Sequence, residues 1–91
     1  MIFEWDERKN RRNIVKHGIT FEEATTVFKD ENAFIVYDED NADYEERFNI
    51  IGLSQLTRML IVCHCYREED TIIRIISARK AEPHEVAEYG R

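Results

Sequence analysis

The stretch from Ile72 to Ala81 constrains the fold of this chain more than any other part of it. It begins with the β-branched run Ile-Ile-Arg-Ile-Ile, which predicts a strand, and it ends in small residues and two cations. With an unbroken period of two, Arg79 shares a face with Ile73 and Ile75. An Arg among isoleucines is costly to bury, so we expect Arg79 at the strand end and Arg74 in an ion pair. We therefore predict that this stretch forms the central strand of a small sheet, with Arg79 at the open end of that strand.

The composition predicts one globular domain spanning residues 1–91. Hydrophobic residues make up 43% of the chain and charged residues 35%, which is typical of a folded protein. No apolar run approaches the ~20 residues that a membrane helix needs, and no signal peptide is evident. We therefore expect no membrane association, a cytoplasmic location, and reduced thiols at Cys63 and Cys65.

The charges are unevenly distributed along the chain. The net charge of −6 argues against a general affinity for nucleic acid. The basic residues Arg8, Lys9, Arg11, Arg12 and Lys16 form one run, and the acidic residues Asp38, Glu39, Asp40, Asp43, Glu45 and Glu46 form another. A molecule polarised in this way can bind an anion on one side, although both runs also fit solvated faces without a further role.

Local signals predict two helices near the N-terminus. Asp6 is a suitable N-cap for a helix over residues 7–17, and Gly18 is a suitable residue just past its end. Thr20 and Glu23 have the spacing of a capping box, in which Thr20 caps a second helix and Glu23 reaches back to the cap.

The remainder of the chain consists mainly of predicted strands. A short strand or an extended segment is predicted before the first helix, and further strands are predicted over residues 33–37, 47–53, 58–66 and from residue 72 onward. Glu82-Pro83 is predicted to open a short C-terminal helix. Consecutive strands joined by short polar turns are expected to pair as an antiparallel meander. The predicted fold class is α+β, with N-terminal helices packed on a curved, mainly antiparallel sheet of four to five strands.

The motifs disfavour several kinds of catalytic site. Cys63-His64-Cys65 suggests a metal site, but a zinc knuckle needs a C-x-x-C pair and a second ligand pair, so both Cys fit better as small core residues. The chain has no G-x-S-x-G elbow and, with three Gly, no Gly-rich phosphate loop. We therefore expect neither a metal nor a cofactor.

Residues suited to phosphate binding and proton transfer remain. They are Lys9, Arg12, Lys16, His17, His64, Tyr66, Arg67, Arg79 and Lys80. Metal-free RNA cleavage needs little more, because the 2′-OH of the RNA attacks the neighbouring phosphorus while protein groups transfer protons and stabilise the added charge. Bidentate Arg suits that last task, although an Arg taken singly is more often an ordinary surface or ion-pair residue.

Sequence blocks over nearly the whole chain resemble the BrnT toxin family. In order, they are Phe3-Glu4-Trp5-Asp6, residues 13–24, Glu45-Glu46-Arg47-Phe48, Ile51-Gly52-Leu53-Ser54, residues 64–68 and residues 74–81. The Lys-His-Gly-Ile-Thr-Phe-Glu-Glu-Ala and Arg-Ile-Ile-Ser-Ala-Arg blocks together are specific. The resemblance implies a RelE-like fold and the toxin of a type II toxin–antitoxin system, an endoribonuclease that arrests growth.

The resemblance also implies partners. A BrnA-type antitoxin would neutralise the toxin, bind DNA to repress the shared operon, and bridge a toxin homodimer. RNA would be the substrate, and contact with DNA would occur only through the antitoxin.

Matched residue by residue, the resemblance gives a candidate site. Arg67 and Arg79 match the family's active-site arginines and are predicted to bind phosphate and stabilise the transition state. His17 and Tyr66 are the further catalytic candidates, for proton transfer. The candidates for substrate binding are Lys16, Lys80, Lys9 and Arg12. In the first block, Trp5 is expected to be a core residue and Asp6 a helix cap.

The chain departs from the family pattern after Ala81. Members commonly carry Lys and Arg there, whereas this chain has Glu82-Pro83-His84-Glu85, which weakens the attraction for phosphate. An alternative function is therefore a catalytically weak or inactive antitoxin-binding module that acts in operon autoregulation. Ion pairs of Arg67 and Arg79 with Glu68, Glu69 or Asp70 would favour the module. A concave pocket that gathers both arginines with a His or Tyr would favour the enzyme.

Overall fold

A computed structural model describes residues 1–41 and 44–90 of the chain. Its strands are β1 (Ile2–Glu4), β2 (Phe34–Tyr37), β3 (Phe48–Leu53), β4 (Met59–Arg67) and β5 (Ile72–Lys80), and its α-helices are α1 (Glu7–His17), α2 (Phe21–Thr26) and α3 (Pro83–Val86). Single turns of 3₁₀ helix cover Val27–Lys29 and Glu39–Asn41. The predicted acidic loop connects β2 to β3, and its residues 42 and 43 lie outside the described part. Within the described ranges, no helix is long and apolar enough to span a membrane.

The strands form one sheet in the order β1-β5-β4-β3-β2. Strands β2 to β5 pair consecutively as an antiparallel meander, and β1 runs parallel to the first residues of β5. The predicted α+β fold, with its mainly antiparallel sheet and short C-terminal helix, is confirmed. The prediction that β5 is the central strand is wrong, because the meander places β4 in the middle and β1 borders β5 only over residues 72–74.

Helix α1 begins and ends at the predicted residues because both of its ends are capped locally. The Asp6 carboxylate accepts a hydrogen bond of 2.8 Å from the Arg8 backbone N–H. Gly18 takes the left-handed conformation with φ of 71°, which spares it the steric cost that a Cβ would bring, and its N–H donates to the Ile14 carbonyl.

The predicted capping box at α2 forms only in part. The Thr20 hydroxyl accepts from the Glu23 backbone N–H at 3.0 Å, as expected. The Glu23 carboxylate does not return to the cap, since it binds the Arg58 guanidinium and accepts a 2.6 Å hydrogen bond from the Ser54 hydroxyl. A buried carboxylate gains more from a cation than from a neutral backbone N–H, and this long-range pair prevails over the local motif.

A β-bulge in β5 changes which residues share a face. Cys63 pairs with Ser77 and His64 with Ile75, so Ile76 has no partner on β4. The expected unbroken period of two is therefore wrong, because the extra residue reverses the alternation beyond it. As a result, Arg79 lies on the face of Arg74, opposite the face of the buried isoleucines.

Helices α1 and α2 cover one face of the sheet and bury the core there. The buried cluster consists of Ile19, Phe21, Ala24, Val27, Ile50, Leu60, Val62, Ile73, Ile75 and Ala78. Trp5 packs against this cluster, with its ring edge-on to Phe21 at 6.1 Å, which agrees with its expected structural role. The opposite face, called here the second face, carries Cys63, Cys65, Arg67, Arg74 and Arg79 by strand register.

Gly52 is required where β3 passes the turn after α2. A Cβ at this position would come within 2.7 Å of the Ala33 Cβ and 3.0 Å of the Val27 Cγ1. These are short side chains fixed to backbone, so they cannot move aside cheaply. We expect Gly52→Ala to lower the free energy of unfolding by about 1–3 kcal/mol, the usual cost of overpacking, as measured by urea denaturation. An unchanged stability would show that β3 can shift away from Ala33.

Candidate functional site

A cavity of about 520 Å³ lies between the C-terminal end of α1 and the second face of the sheet. Its positively charged or titratable basic side chains are Lys16, His17, Arg47 and Arg79. Asp38 and Asp40, from the β2–β3 connection, line the same cavity, and Asn49 and Ser77 contribute polar surface. The cavity therefore combines cations, an imidazole and hydrogen-bonding groups on a concave surface.

The buried Asn13 fixes the end of α1 beside the cavity. Its amide nitrogen donates to the Ala78 carbonyl at 2.7 Å and to the Ile19 carbonyl at 2.9 Å, and its amide oxygen accepts from the Ala78 N–H at 3.0 Å. Since β1 pairs only with the start of β5, the β5 edge at Ala78 is free to bind this side chain. The amide thus replaces a missing strand partner and joins α1 to the bulged part of β5.

Lys16 and His17 follow Asn13 by one helical turn, so the Asn13 contacts determine their position. Lys16 is exposed and His17 is half-buried at the rim of the cavity. Of the basic run in the sequence, Lys16 therefore lines the cavity, whereas Arg8, Arg11 and Arg12 line a separate depression.

Arg79 lines the cavity but is already engaged by Glu85 of α3. Its two terminal nitrogens each lie 2.8 Å from one Glu85 oxygen, in a bidentate ion pair. This hydrogen bonding raises the pKa of Arg79 and lowers the pKa of Glu85. A phosphate at Arg79 would have to share the guanidinium with Glu85 or displace it.

Arg47 precedes β3 and lines the cavity from the side opposite α1. Its side chain is 29% exposed, and within residues 1–41 and 44–90 its ion-pair contact is with a Glu45 oxygen 3.8 Å away. In the sequence, Arg47 begins a predicted strand and belongs to one of the blocks that resemble BrnT, but it is not among the predicted site residues. The register could have suggested it, because Arg47 continues the β3 positions that face Cys63 and Cys65 on the second face.

The Cys63 thiol also lines the cavity but is unsuited to act as a nucleophile. Burial, followed by the negative charge of Asp38, raises the pKa of Cys63 to about 11. At neutral pH the group is therefore a protonated thiol. In the described part of the chain, no group of three or more His, Cys, Asp or Glu side chains is placed to hold a metal ion.

Residues 5–85 match the sequence model of a family described as the ribonuclease toxin, BrnT, of type II toxin–antitoxin systems. The chain belongs to the BrnT toxin family. Its fold is similar to the crystal structure of the Brucella abortus ribonuclease toxin BrnT, with a TM-score of 0.69 and 22% sequence identity over 90% of this chain and 99% of that one. At this identity, the likeness establishes the fold. A search of curated proteins found no match.

The predicted BrnT resemblance is confirmed, and the RelE-like comparison stays a prediction.

The second predicted arginine of this BrnT family member, Arg67, lies on the second face but not in the cavity. It pairs with Glu45 at 3.1 Å and lies 4.0 Å from Glu4. Because Arg67 and the Arg79 partner Ile61 are six residues apart on β4, the two arginines are about 20 Å apart along the strand.

Tyr66 lies on the helix-covered face, away from the cavity. Its hydroxyl is 3.2 Å from His64 Nε2, and the His64 ring packs edge-on against Phe28. Burial raises the pKa of Tyr66 and lowers the pKa of His64. The pair is placed as part of an aromatic cluster that extends the core, and not beside Lys16 and His17.

The other candidates for substrate binding also lie outside the cavity. Lys80 is exposed at the end of β5 and pairs in register with Leu60 on the helix-covered side. Lys9 and Arg12 lie further back on α1, and Arg12 borders a shallow depression with Arg8 and Arg11. The structure thus gathers Lys16, His17 and Arg79 and leaves Arg67, Tyr66, Lys80, Lys9 and Arg12 apart from them.

Proposed function

We propose that this BrnT family member is a metal-independent endoribonuclease whose active site is the cavity on the second face. The observation that supports the proposal is the convergence of Lys16, His17, Arg47 and Arg79 in one concave space. A phosphodiester carries a negative charge and gains more during the reaction, so it requires cations on a concave surface. The fold delivers them through the Asn13 contact and the β5 bulge.

The reaction uses the RNA's own nucleophile. The 2′-oxygen forms a bond to the adjacent phosphorus, the bond from phosphorus to the 5′-oxygen breaks, and the products are a 2′,3′-cyclic phosphate and a 5′-hydroxyl. One proton must leave the 2′-OH and one must reach the 5′-oxygen. His17 is the cavity group whose residue type exchanges protons near neutral pH, and we assign it the first transfer. We assign the second transfer to Lys16, which lines the same cavity.

The charge on the phosphorane oxygens requires guanidinium or ammonium groups that are close by. Arg79 and Arg47 line the cavity for this role. Arg67 is too far from Arg79 to contact the same phosphate, and we propose that it contacts a neighbouring nucleotide of a bound strand. The other predicted substrate-binding cations, being outside the cavity, would contribute only longer-range attraction.

Membership of a toxin–antitoxin family implies an antitoxin partner. We propose that this partner is a BrnA-type protein that neutralises the toxin in the cytoplasm, bridges a toxin homodimer and carries the contact with DNA. The acidic net charge of the chain is consistent with leaving DNA to the antitoxin.

A second candidate function is the inactive antitoxin-binding module. It is favoured by the ion pairs of both predicted arginines, since Glu85 engages Arg79 and Glu45 engages Arg67. If neither pair opens for RNA, the chain keeps its antitoxin surface and loses catalysis.

Induced expression in a bacterial host separates the two functions. We expect growth arrest and loss of intact RNA with the unchanged chain and neither with Arg79→Ala, because an Ala cannot stabilise the phosphorane. Arg11→Ala, on the exposed side of α1, is the matched control and should behave like the unchanged chain. Circular dichroism of each purified protein checks folding.

The outcomes lead to different conclusions. Arrest with Arg79→Ala would keep the toxin and remove Arg79 from its site. Absence of arrest with a folded, unchanged chain would favour the module. Cleavage of purified RNA in the presence of EDTA, with 2′,3′-cyclic phosphate ends, is expected from the proposed chemistry, and products with 5′-phosphate ends would contradict it.

A further inference from the structure

The arginines of the sheet differ in how they are paired. Arg58, Arg67, Arg74 and Arg79 each have a carboxylate oxygen within 3.1 Å, from Glu23, Glu45, Glu4 and Glu85 respectively. Their charge is neutralised within the protein by a direct hydrogen-bonded partner. Arg47 is the exception, and it lines the cavity together with Lys16 and His17.

Arg47 is mostly buried but poorly satisfied. Its Nε has no hydrogen-bond partner among the described residues and no contact with solvent. One terminal nitrogen lies 3.8 Å from a Glu45 oxygen, which is beyond hydrogen-bond distance, and the other Glu45 oxygen is 3.1 Å from Arg67. Glu45 is therefore shared and holds Arg67 more closely than Arg47.

A buried guanidinium N–H without a hydrogen bond is costly, so the position of Arg47 needs an explanation. Packing alone is a poor one, because an apolar residue would fill the space without that cost. The position of Arg47 suggests an explanation. Arg47 precedes β3, and it lines the cavity together with Asn49 of that strand. An anion entering the cavity would meet the terminal nitrogens of Arg47, which no carboxylate occupies at hydrogen-bond distance in the described structure.

We infer that Arg47 is the guanidinium that contacts the scissile phosphate. The inference rests on the proposed ribonuclease function and names the phosphate-binding group within its site. In this arrangement, Arg47 offers its terminal nitrogens directly to the phosphate oxygens, while Arg79, held by its bidentate pair with Glu85, adds its positive charge from the adjoining part of the cavity. Asp38 and Asp40 line the same cavity, so a phosphate there needs direct contacts with its cations to offset their negative charge.

A substrate analogue that cannot react tests the contact without catalysis. The probe is a 2′-deoxy dinucleotide, which has the phosphodiester but lacks the attacking hydroxyl, and its binding is followed by amide chemical shifts of the full chain. We expect Arg47→Gln to weaken binding by about tenfold or more, the usual effect of losing a charge-assisted pair. Arg11→Gln, an equal change of charge outside the cavity, should alter binding less than twofold.

Arg47→Lys separates charge from geometry and provides a second variant if Arg47→Gln folds poorly. Lys retains the charge but not the two parallel donors, so we expect intermediate binding and RNA cleavage reduced by about 10²-fold in kcat/KM. The spectra of the free proteins also report whether each variant is folded.

The results distinguish the inference from the proposed function. If folded Arg47→Gln binds the dinucleotide as tightly as the protein without substitutions does, the role of Arg47 is overturned. It is also overturned if the protein without substitutions does not bind the dinucleotide. Arg47-dependent binding by a chain that cleaves no RNA would support the phosphate contact and reject the ribonuclease activity. Equal losses in Arg47→Gln and Arg11→Gln would show that only net charge matters and would also overturn the inference.

Discussion

Replacement of Asn13 by Leu is expected to lower the free energy of unfolding by about 3 kcal/mol and to abolish RNA cleavage. The two side chains have similar size, but Leu cannot pair with the Ala78 N–H and carbonyl, which the Asn13 amide binds at 3.0 and 2.7 Å. Each buried backbone group left unpaired costs about 1–3 kcal/mol, and both are affected. Urea denaturation with an unchanged slope measures the loss.

Two controls show whether the lost activity comes from a misplaced α1. Arg11→Leu changes an exposed position of the same helix, so its stability should stay within about 0.5 kcal/mol of the unchanged chain. Gly52→Ala destabilises the fold at β3, away from the α1 contact, and should cleave RNA at the normal rate where it is folded. Normal cleavage by folded Asn13→Leu would show that Lys16 and His17 do not depend on this contact.

The elements governed by local chemistry could be predicted from the sequence. Helix α1 begins after Asp6 and ends at Gly18 because a side chain and a left-handed backbone satisfy its terminal groups within a few residues. The β4 and β5 strands follow their β-branched and apolar runs for the same kind of reason.

The register of β5 could not be predicted, because a bulge depends on the partner strand. Nothing in the Ile-Ile-Ser-Ala run shows that Ile76 is left out of the pairing with β4. This one residue moves Arg79 to the second face. The Asn13 contact to Ala78, 65 residues away in sequence, is equally invisible to a reading of local patterns.

The sequence indicates directly which candidate residues are neighbours in the chain, but not which distant ones the fold brings to the same cavity. Lys16 and His17 are neighbours, and their place beside Arg79 is consistent with the resemblance that named them. The role inferred for Arg47 could not be predicted from the sequence, because it rests on how Arg47 is paired in the folded chain, and pairing is a property of the fold. Glu23 shows the converse, since its local cap pattern is present but a distant Arg58 takes its carboxylate.

Arg58→Met is expected to destabilise the protein by about 3 kcal/mol at pH 7. The Glu23 side chain is only 4% exposed, and Arg58 supplies its charge partner. Methionine preserves the aliphatic stem but leaves a buried carboxylate with the Ser54 hydroxyl as its remaining side-chain partner. Removing one member of a buried pair is costly because the other charge stays without compensation.

The pH dependence of this loss identifies Glu23 as its cause. In the unchanged chain, hydrogen bonding to Arg58 lowers the pKa of Glu23, so the stabilisation is present above the unfolded-state pKa of about 4.3 and disappears as the pH falls through the folded-state pKa. In Arg58→Met, desolvation without a cation raises the pKa of Glu23, and protonation relieves the buried charge as the pH falls. The difference in unfolding free energy between the two proteins should therefore be largest near pH 7 and shrink below about pH 5. The double variant Glu23→Gln/Arg58→Met should lack this pH dependence and recover part of the stability. If the difference in unfolding free energy between the unchanged chain and Arg58→Met is instead constant from pH 7 to pH 4, Arg58 acts through packing and through its 3.2 Å hydrogen bond to the Gly18 carbonyl.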